Sequence, residues 1–211
     1  MAQPKGFLDL PQEIRDEIYE YIVVKPTNTI TMLENHNCFQ NEVSAGQPAI
    51  SRVNRQIRAE SLPMFYRRNL FMAELSNYLD LTIAKSWLES IGDLNAGCIR
   101  RLALCGWTKV EASPRAKIRL WIRVLFNVKD GTLEVEGNEP HGAGQPTICK
   151  DMGAVKGAFR ALVEARDGRP FDVAALSDVM EGFHRCCANC SEEEKKVDGS
   201  YRTCDSECGA S

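Results

Sequence analysis

The sequence predicts an α+β domain in which several helices pack on a small mixed sheet. Apolar residues recur at helical spacing in residues 10–24, which predicts an amphipathic helix. Apolar and polar residues alternate before and after a turn in residues 117–136, which predicts a hairpin. Two more helical patterns, at 153–165 and 173–184, follow the hairpin. The 211 residues are 44% hydrophobic and 26% charged, which suffices for one buried core.

The first predicted helix, residues 10–24, has a well-marked start and end. Asp9 and Pro11 stand where a cap and a first-turn proline belong, and Pro26 predicts the end. The apolar stripe of this helix has five members: Leu10, Ile14, Ile18, Tyr21 and Ile22. The polar side, which we expect to face solvent, has six: Gln12, Glu13, Arg15, Asp16, Glu17 and Glu20.

A strand and a second helix are predicted next. Residues 28–33 alternate and are rich in threonine and isoleucine, which favours a strand. The second helix is predicted over residues 48–62, and Pro63 should end it. We expect its apolar residues to be buried together with two aromatic residues that lead into a short strand: Ile50, Val53 and Ile57 with Phe65 and Phe71. Its solvent side should hold Arg52, Arg55, Arg58 and Glu60.

The remaining signals complete one domain and a tail. A helix is predicted over residues 79–91 with Gly92 as its end, and a strand is predicted at 98–105. The helices at the end of the chain then close a domain of residues 7–185. A cysteine-rich, acidic tail of residues 186–211 follows.

The hairpin carries a prediction of strand register. Its turn is placed at Asp130–Gly131, a dipeptide typical of two-residue hairpin turns. That turn would set Phe126 opposite Val135, and Glu136 diagonal to Arg123.

Several blocks of the chain, in the same order, resemble a known family. The stretch FLDLPQEIRDEIYEYIV, residues 7–23, resembles the first helix of the F-box, and ISRVNRQIRAESL, residues 50–62, resembles its second helix. With FYRRNLF at 65–71 and WLESIGDLNAGCIRRLAL at 87–104, the chain is similar to a family of fungal F-box-like proteins. The resemblance covers about half the chain.

The resemblance implies a role in protein–protein interaction. It implies that the first helix docks a Skp-type adaptor protein of a cullin–RING ubiquitin ligase, so that the chain recruits a protein substrate. The implied partner-binding residues are Leu10, Pro11, Ile14, Ile18, Tyr21 and Ile22. An amphipathic helix laid into a groove binds through such anchors. The alternative is a stand-alone scaffold or regulatory domain in which this face belongs to the core.

The C-terminal cysteines have the spacing of a zinc site. Cys187 and Cys190 form a CxxC pair, and after 13 residues Cys204 and Cys208 form a CxxxC pair. His184 is a substitute ligand. The alternative is a reduced, disordered tail, because residues 191–211 hold six acidic residues and show no apolar periodicity.

The sequence offers little for catalysis or nucleic-acid binding. The three histidines, His36, His141 and His184, lie in no nucleophile or metal motif, and we predict that the chain is not an enzyme. The net charge of −3 gives no bias toward nucleic acid. A locally basic middle with two tryptophans is interpreted as a solvated sheet face: Arg100, Arg101, Lys109, Arg115, Lys117, Arg119 and Arg123, with Trp107 and Trp121.

The chain shows no signal for secretion or membrane insertion. The first 25 residues are acidic and lack a hydrophobic core, and the most apolar run, 118–126, is short and holds two arginines. We therefore expect a cytoplasmic or nuclear protein with no membrane partner. In such a compartment thiols are kept reduced, so the nine cysteines are interpreted as free thiols or metal ligands in preference to disulfides.

Overall fold

The chain folds as an α+β domain built on a mixed sheet. A computed structural model describes residues 6–25, 29–32, 42–113, 116–137 and 150–195. The strands within this part of the chain are β1 (Thr29–Thr31), β2 (Glu42–Ser44), β3 (Leu70–Glu74), β4 (Arg101–Ser113), β5 (Ala116–Asn127) and β6 (Thr132–Gly137). The α-helices are α1 (Gln12–Val23), α2 (Arg55–Arg68), α3 (Tyr78–Ala96), α4 (Lys150–Arg166) and α5 (Val173–Lys195). Short 3-10 turns precede α1 and α2, at Phe7–Asp9 and Ala49–Arg52.

The sheet has the strand order β2–β1–β3–β4–β5–β6. Its first half is parallel, because β1 pairs in parallel with both β2 and β3, and β3 pairs in parallel with β4. Its second half is antiparallel, from β4 through β5 to β6. The strand predicted at 28–33 corresponds to β1, whereas the three-residue strand β2 was not predicted.

Most of the core lies on one face of the sheet. Phe71, Leu102 and Phe126 are register partners on β3, β4 and β5, and all three are buried in the main apolar cluster. Residues of α2, α3, α4 and α5 pack on them. The other face carries a smaller cluster around Met72 and Ala103. The helices therefore concentrate on one side of the sheet.

The second helix begins and ends later than predicted. Residues 49–52 form a 3-10 turn, and α2 starts after Asn54, whose side chain accepts a hydrogen bond from the Ile57 amide at 2.9 Å. The helix then continues through Pro63 to Arg68, so the prediction that Pro63 ends it is wrong. An internal proline costs about 3 kcal/mol. Burial of the residues beyond it offsets that cost.

The residues beyond Pro63 form an aromatic cluster. Phe65 and Tyr66 at the end of α2 lie 5.5 and 5.6 Å from the Phe71 ring, measured between centroids. Trp87 of α3 lies 5.3 Å from the same ring. Ile57 is buried in the core as predicted, whereas Val53 is 67% exposed, which corrects its assignment to the core. Val53 is exposed because it lies in the link between the 3-10 turn and α2.

The third helix is interrupted where a glycine was predicted to end it. Gly92 has φ +74°, a conformation that residues with a Cβ rarely adopt, and the helical hydrogen bonding resumes for one more turn up to Ala96. The strand predicted at 98–105 starts at Arg101 and is longer than predicted, because β4 continues to Ser113 alongside β5.

The predicted register of the β5–β6 hairpin is wrong by two residues. Phe126 pairs with Leu133 rather than with Val135, and Arg123 lies directly opposite Glu136 rather than diagonal to it. The turn between β5 and β6 contains four residues, 128–131, instead of two. It is longer because Val128 is buried and its amide donates to the Arg100 carbonyl at 2.8 Å.

The last helix crosses the predicted domain boundary. The helix predicted at 173–184 continues as α5 to Lys195, so the boundary between residues 185 and 186 falls inside it. Phe183, Cys186 and Cys187 are buried members of the main core. Residues assigned to the tail by composition therefore contribute to the domain.

Candidate partner-binding surface

Among the described residues, helix α1 packs on the domain mainly through one side. Its buried residues are Arg15, Tyr19 and Val23, spaced four apart on one face. Arg15 had been assigned to the solvent side by its charge, and that assignment is wrong. The helix is rotated so that a charged residue and an amphipathic tyrosine, rather than the isoleucine stripe, face the neighbouring helix α2.

Beside this buried face, α1 and the segment before it expose apolar side chains. Ile14 is 42% exposed, Tyr21 89% and Ile22 39%, and Pro11 is also exposed. The two other predicted binding residues, Leu10 and Ile18, are half-buried. Leu8, which precedes the helix and was not predicted, is 38% exposed. We call these seven residues the outer face of α1: Leu8, Leu10, Pro11, Ile14, Ile18, Tyr21 and Ile22.

A charged cluster joins the inner face of α1 to α2. The Arg15 guanidinium donates from Nε to Glu60 Oε2 at 3.1 Å and from Nη2 to Glu60 Oε1 at 2.9 Å. This two-point geometry is the strong form of an arginine–carboxylate pair. The Tyr19 hydroxyl donates to Glu60 Oε2 at 2.7 Å, and Gln56 Nε2 donates to Oε1 at 3.0 Å. Glu60 had also been assigned to solvent, and the cluster corrects that assignment.

The same arginine fixes the segment that leads into α1. Arg15 Nη1 donates to the carbonyl oxygens of Leu8 and Leu10, at 3.3 and 2.7 Å, and Nη2 donates to Gln12 Oε1. The Phe7 ring packs edge-on against Tyr19 with 5.7 Å between centroids. Arg15 thus holds together the helix, its entry segment and α2.

These contacts set the protonation states in the cluster. Hydrogen bonds from Arg15 and then from Gln56 lower the pKa of Glu60 to about 2. Burial, and then the hydrogen bond to Glu60, raises the pKa of Tyr19 to about 12. The hydrogen bond to Glu60 also raises the pKa of Arg15. Glu60 is therefore ionised and Tyr19 neutral over the whole physiological range of pH.

The far end of α1 is held by a buried asparagine. Asn69 Nδ2 donates to the carbonyl oxygens of Val23 and Phe65, at 2.9 and 2.8 Å, and its Oδ1 accepts from the Lys25 amide at 2.7 Å. Asn69 directly precedes β3. Both ends of α1 are thus fixed to the body of the domain, and sequence reasoning found neither anchor because both are contacts between distant residues.

The predicted zinc ligands lie only partly within the described residues. Cys187 is buried on α5, and its Sγ lies 3.0 Å from the position that a Cβ on Gly106 would take. His184 Nδ1 lies 3.2 Å from the Leu75 carbonyl oxygen. Cys204, Cys208 and the side chain of Cys190 fall outside the described residues. Where the structure describes the chain, no group of three or more potential ligands is close enough to hold a metal ion.

The basic middle of the chain is described in part. Arg123 Nη1 lies 3.5 Å from Glu136 Oε2, which forms a cross-strand ion pair on the hairpin. Arg101 Nη2 donates to the Arg68 carbonyl at 2.7 Å. The side chains of Lys109, Lys117 and Arg119, and all of Arg115, fall outside the described residues.

Comparison of the chain with protein-family models, with curated proteins and with solved structures returned no match. Within the described ranges, no helix is long and apolar enough to cross a membrane.

Proposed function

We propose that this protein is a non-enzymatic interaction module that docks a Skp-type adaptor through the outer face of α1. In this proposal it recruits a protein substrate to a cullin–RING ubiquitin ligase. The observation that carries the proposal is the exposure of apolar side chains on a helix whose adjacent face is anchored. In the alternative, the apolar stripe of α1 belongs to the core. The exposure of Ile14, Tyr21 and Ile22 does not support that alternative.

The anchoring of α1 favours binding. A helix that must fold or turn before it docks loses part of its interaction energy to ordering. The bonds from Arg15 to Glu60 and from Asn69 to Val23 already hold α1 in place. The arrangement of anchors at 14, 18 and 22, with Tyr21 beside them, suits an apolar groove.

The second candidate function is a stand-alone scaffold or regulatory domain. It uses the same outer face of α1 for a different protein and has no part in a ubiquitin ligase. The exposed face supports a partner of either kind, and the sequence resemblance is the reason to place the Skp-type adaptor first.

The test is a binding assay with a purified Skp-type adaptor. We expect Ile14→Asp to weaken binding by about 2 kcal/mol, roughly thirtyfold, because a charge replaces a desolvated aliphatic anchor. The variant should keep its fold, since Ile14 is already 42% exposed. Isothermal titration calorimetry gives the affinity, and circular dichroism checks the fold.

The matched control is Leu79→Asp, which places the same charge on an exposed leucine of α3. It should leave adaptor binding unchanged. Equal affinity of the Ile14→Asp and wild-type proteins would refute docking through the outer face of α1. Absence of wild-type binding to any Skp-type adaptor, together with capture of another partner that Ile14→Asp abolishes, would favour the scaffold function instead.

A further inference from the structure

A cavity at one end of the sheet is lined by four cationic side chains. It has a volume of about 180 Å³ and lies between the start of β4, the turn after β5 and the α4–α5 loop. Its cationic lining residues are Arg100, Lys129, Arg166 and Arg169. Its other lining residues are Val128, Val163, Gly168, Pro170 and Phe171, so none of the lining residues is acidic.

Only one of the four cations is neutralised by a described carboxylate. Arg166 pairs with Asp172 at 3.2 Å, donates to the Pro170 carbonyl and lies 4.9 Å from the Phe171 ring centroid. Arg169 donates to the carbonyl oxygens of Arg166 and Ala165. Arg100 and Lys129 make no ion pair with any residue that the structure describes. The cavity therefore holds several positive charges that no described carboxylate compensates, although the chain is acidic overall.

Gathering like charges around a cavity is unfavourable unless an anion neutralises them. The cavity is smaller than sites that enclose drug-sized ligands, which suits a compact anionic group. Arginine is suited to oxyanions because its planar donors match phosphate geometry, and lysine adds a point charge. The carbonyl bonds of Arg166 hold its guanidinium in place before a ligand arrives.

We propose that this cavity binds a phosphate dianion, either free inorganic phosphate or the phosphoryl group of a phosphorylated peptide. Arg100, Lys129 and Arg169 supply the neutralising charges, and Arg166 is a positioning residue fixed by Asp172 and Pro170. The proposal does not depend on the outer face of α1, whose variant Ile14→Asp should bind phosphate like the wild type.

The test titrates the full chain with inorganic phosphate at constant ionic strength by calorimetry. We expect saturable binding, weakened about tenfold by Arg169→Gln and further by the double change Arg100→Gln with Lys129→Gln. These side chains are exposed or half-buried, so the variants should fold. The matched control is Arg185→Gln, an exposed arginine 12 residues and about 18 Å along α5 from its start, which should bind phosphate normally.

A second arm distinguishes the two sources of the phosphoryl group. A phosphoserine peptide that competes with inorganic phosphate, while its unphosphorylated twin does not, supports recognition of a modified protein. Inorganic phosphate that binds without such competition supports a free anion. No saturable phosphate binding, or equal weakening by Arg185→Gln and Arg169→Gln, overturns the proposal, because the response would then reflect general charge.

Discussion

Glu60 shows how one side chain determines which way a helix faces. It accepts hydrogen bonds from Arg15, Tyr19 and Gln56, so three polar groups meet at a single carboxylate. A partly buried arginine needs such a partner, because an unpaired charge is costly away from water. The polar cluster thus takes the inner position on α1, and Ile14 and Ile22 remain exposed.

The shifted pKa of Glu60 gives a test by pH. Its folded-state pKa of about 2 lies below its ordinary value of 4.5, so its ionised form stabilises the folded state. This contribution is fully present above about pH 4.5 and disappears as the pH falls toward 2. We expect Glu60→Gln to lower the urea midpoint at pH 7, and the difference from wild type to shrink between pH 4.5 and pH 2.

The control for this experiment is Glu17→Gln on the exposed side of the same helix. Glu17 forms no ion pair with a described residue, so its substitution should change the midpoint little at any pH. A difference between Glu60→Gln and wild type that stays constant from pH 7 to pH 2 would show that the Arg15–Glu60 pair is not its cause.

Helix α2 and the link before it provide a test of burial at the scale of one element. Ile57 and Val53 are four residues apart, but Ile57 is buried while Val53 is 67% exposed. We expect Ile57→Ala to destabilise the protein by about 2 to 4 kcal/mol, because it leaves a cavity in the core. Val53→Ala should cost less than about 0.5 kcal/mol. Urea denaturation of both variants measures their free energies of unfolding. Similar losses in the two variants would mean that Ile57 is not packed in the core.

The sequence predicted most elements but not their exact limits. Periodicity located the five helices and the β5–β6 hairpin because it reports burial along one segment. It could not show that Pro63 lies inside α2, since the aromatic contacts to Phe71 that offset its cost come from elsewhere in the chain. The hairpin register depended on the burial of Val128, which lengthens the turn to four residues.

The candidate surface is defined by the residues that the resemblance implied, whereas the contacts that anchor α1 were not predicted. Of the six residues that the resemblance implied, Pro11, Ile14, Tyr21 and Ile22 are exposed and Leu10 and Ile18 are half-buried, a difference that periodicity alone could not provide. An apolar stripe looks the same in a sequence whether it meets a core or solvent. Arg15 with Glu60, and Asn69 with Val23, connect positions more than 40 residues apart.

At the scale of the whole molecule, truncations within and after α5 test where the folded domain ends. The described core extends to Cys187, so a chain that ends at residue 185 loses Cys186 and Cys187 from it. We expect that truncation to cost about 2 kcal/mol. A chain that ends at residue 195 should unfold at the same urea concentration as the full chain, because it retains every described core residue.

The same pair of truncations tests the zinc hypothesis. Cys187 would have to leave its packed position beside Gly106 to become a ligand together with Cys204 and Cys208. The zinc hypothesis is supported if the full chain carries about one equivalent of zinc and the chain ending at 195 loses both the metal and stability. The prediction that the two chains unfold at the same urea concentration would then be wrong.

The strands between α1 and α2 have a consequence for how the protein can move. β1 and β2 follow α1 in the chain, and β1 inserts between β2 and β3, while Asn69 bonds the end of α1 to the start of β3. The Asn69 hydrogen bonds therefore join the end of α1 directly to the start of β3. A partner bound to α1 would therefore keep a fixed orientation relative to any ligand bound at the sheet. The distance between the two would be set by the fold.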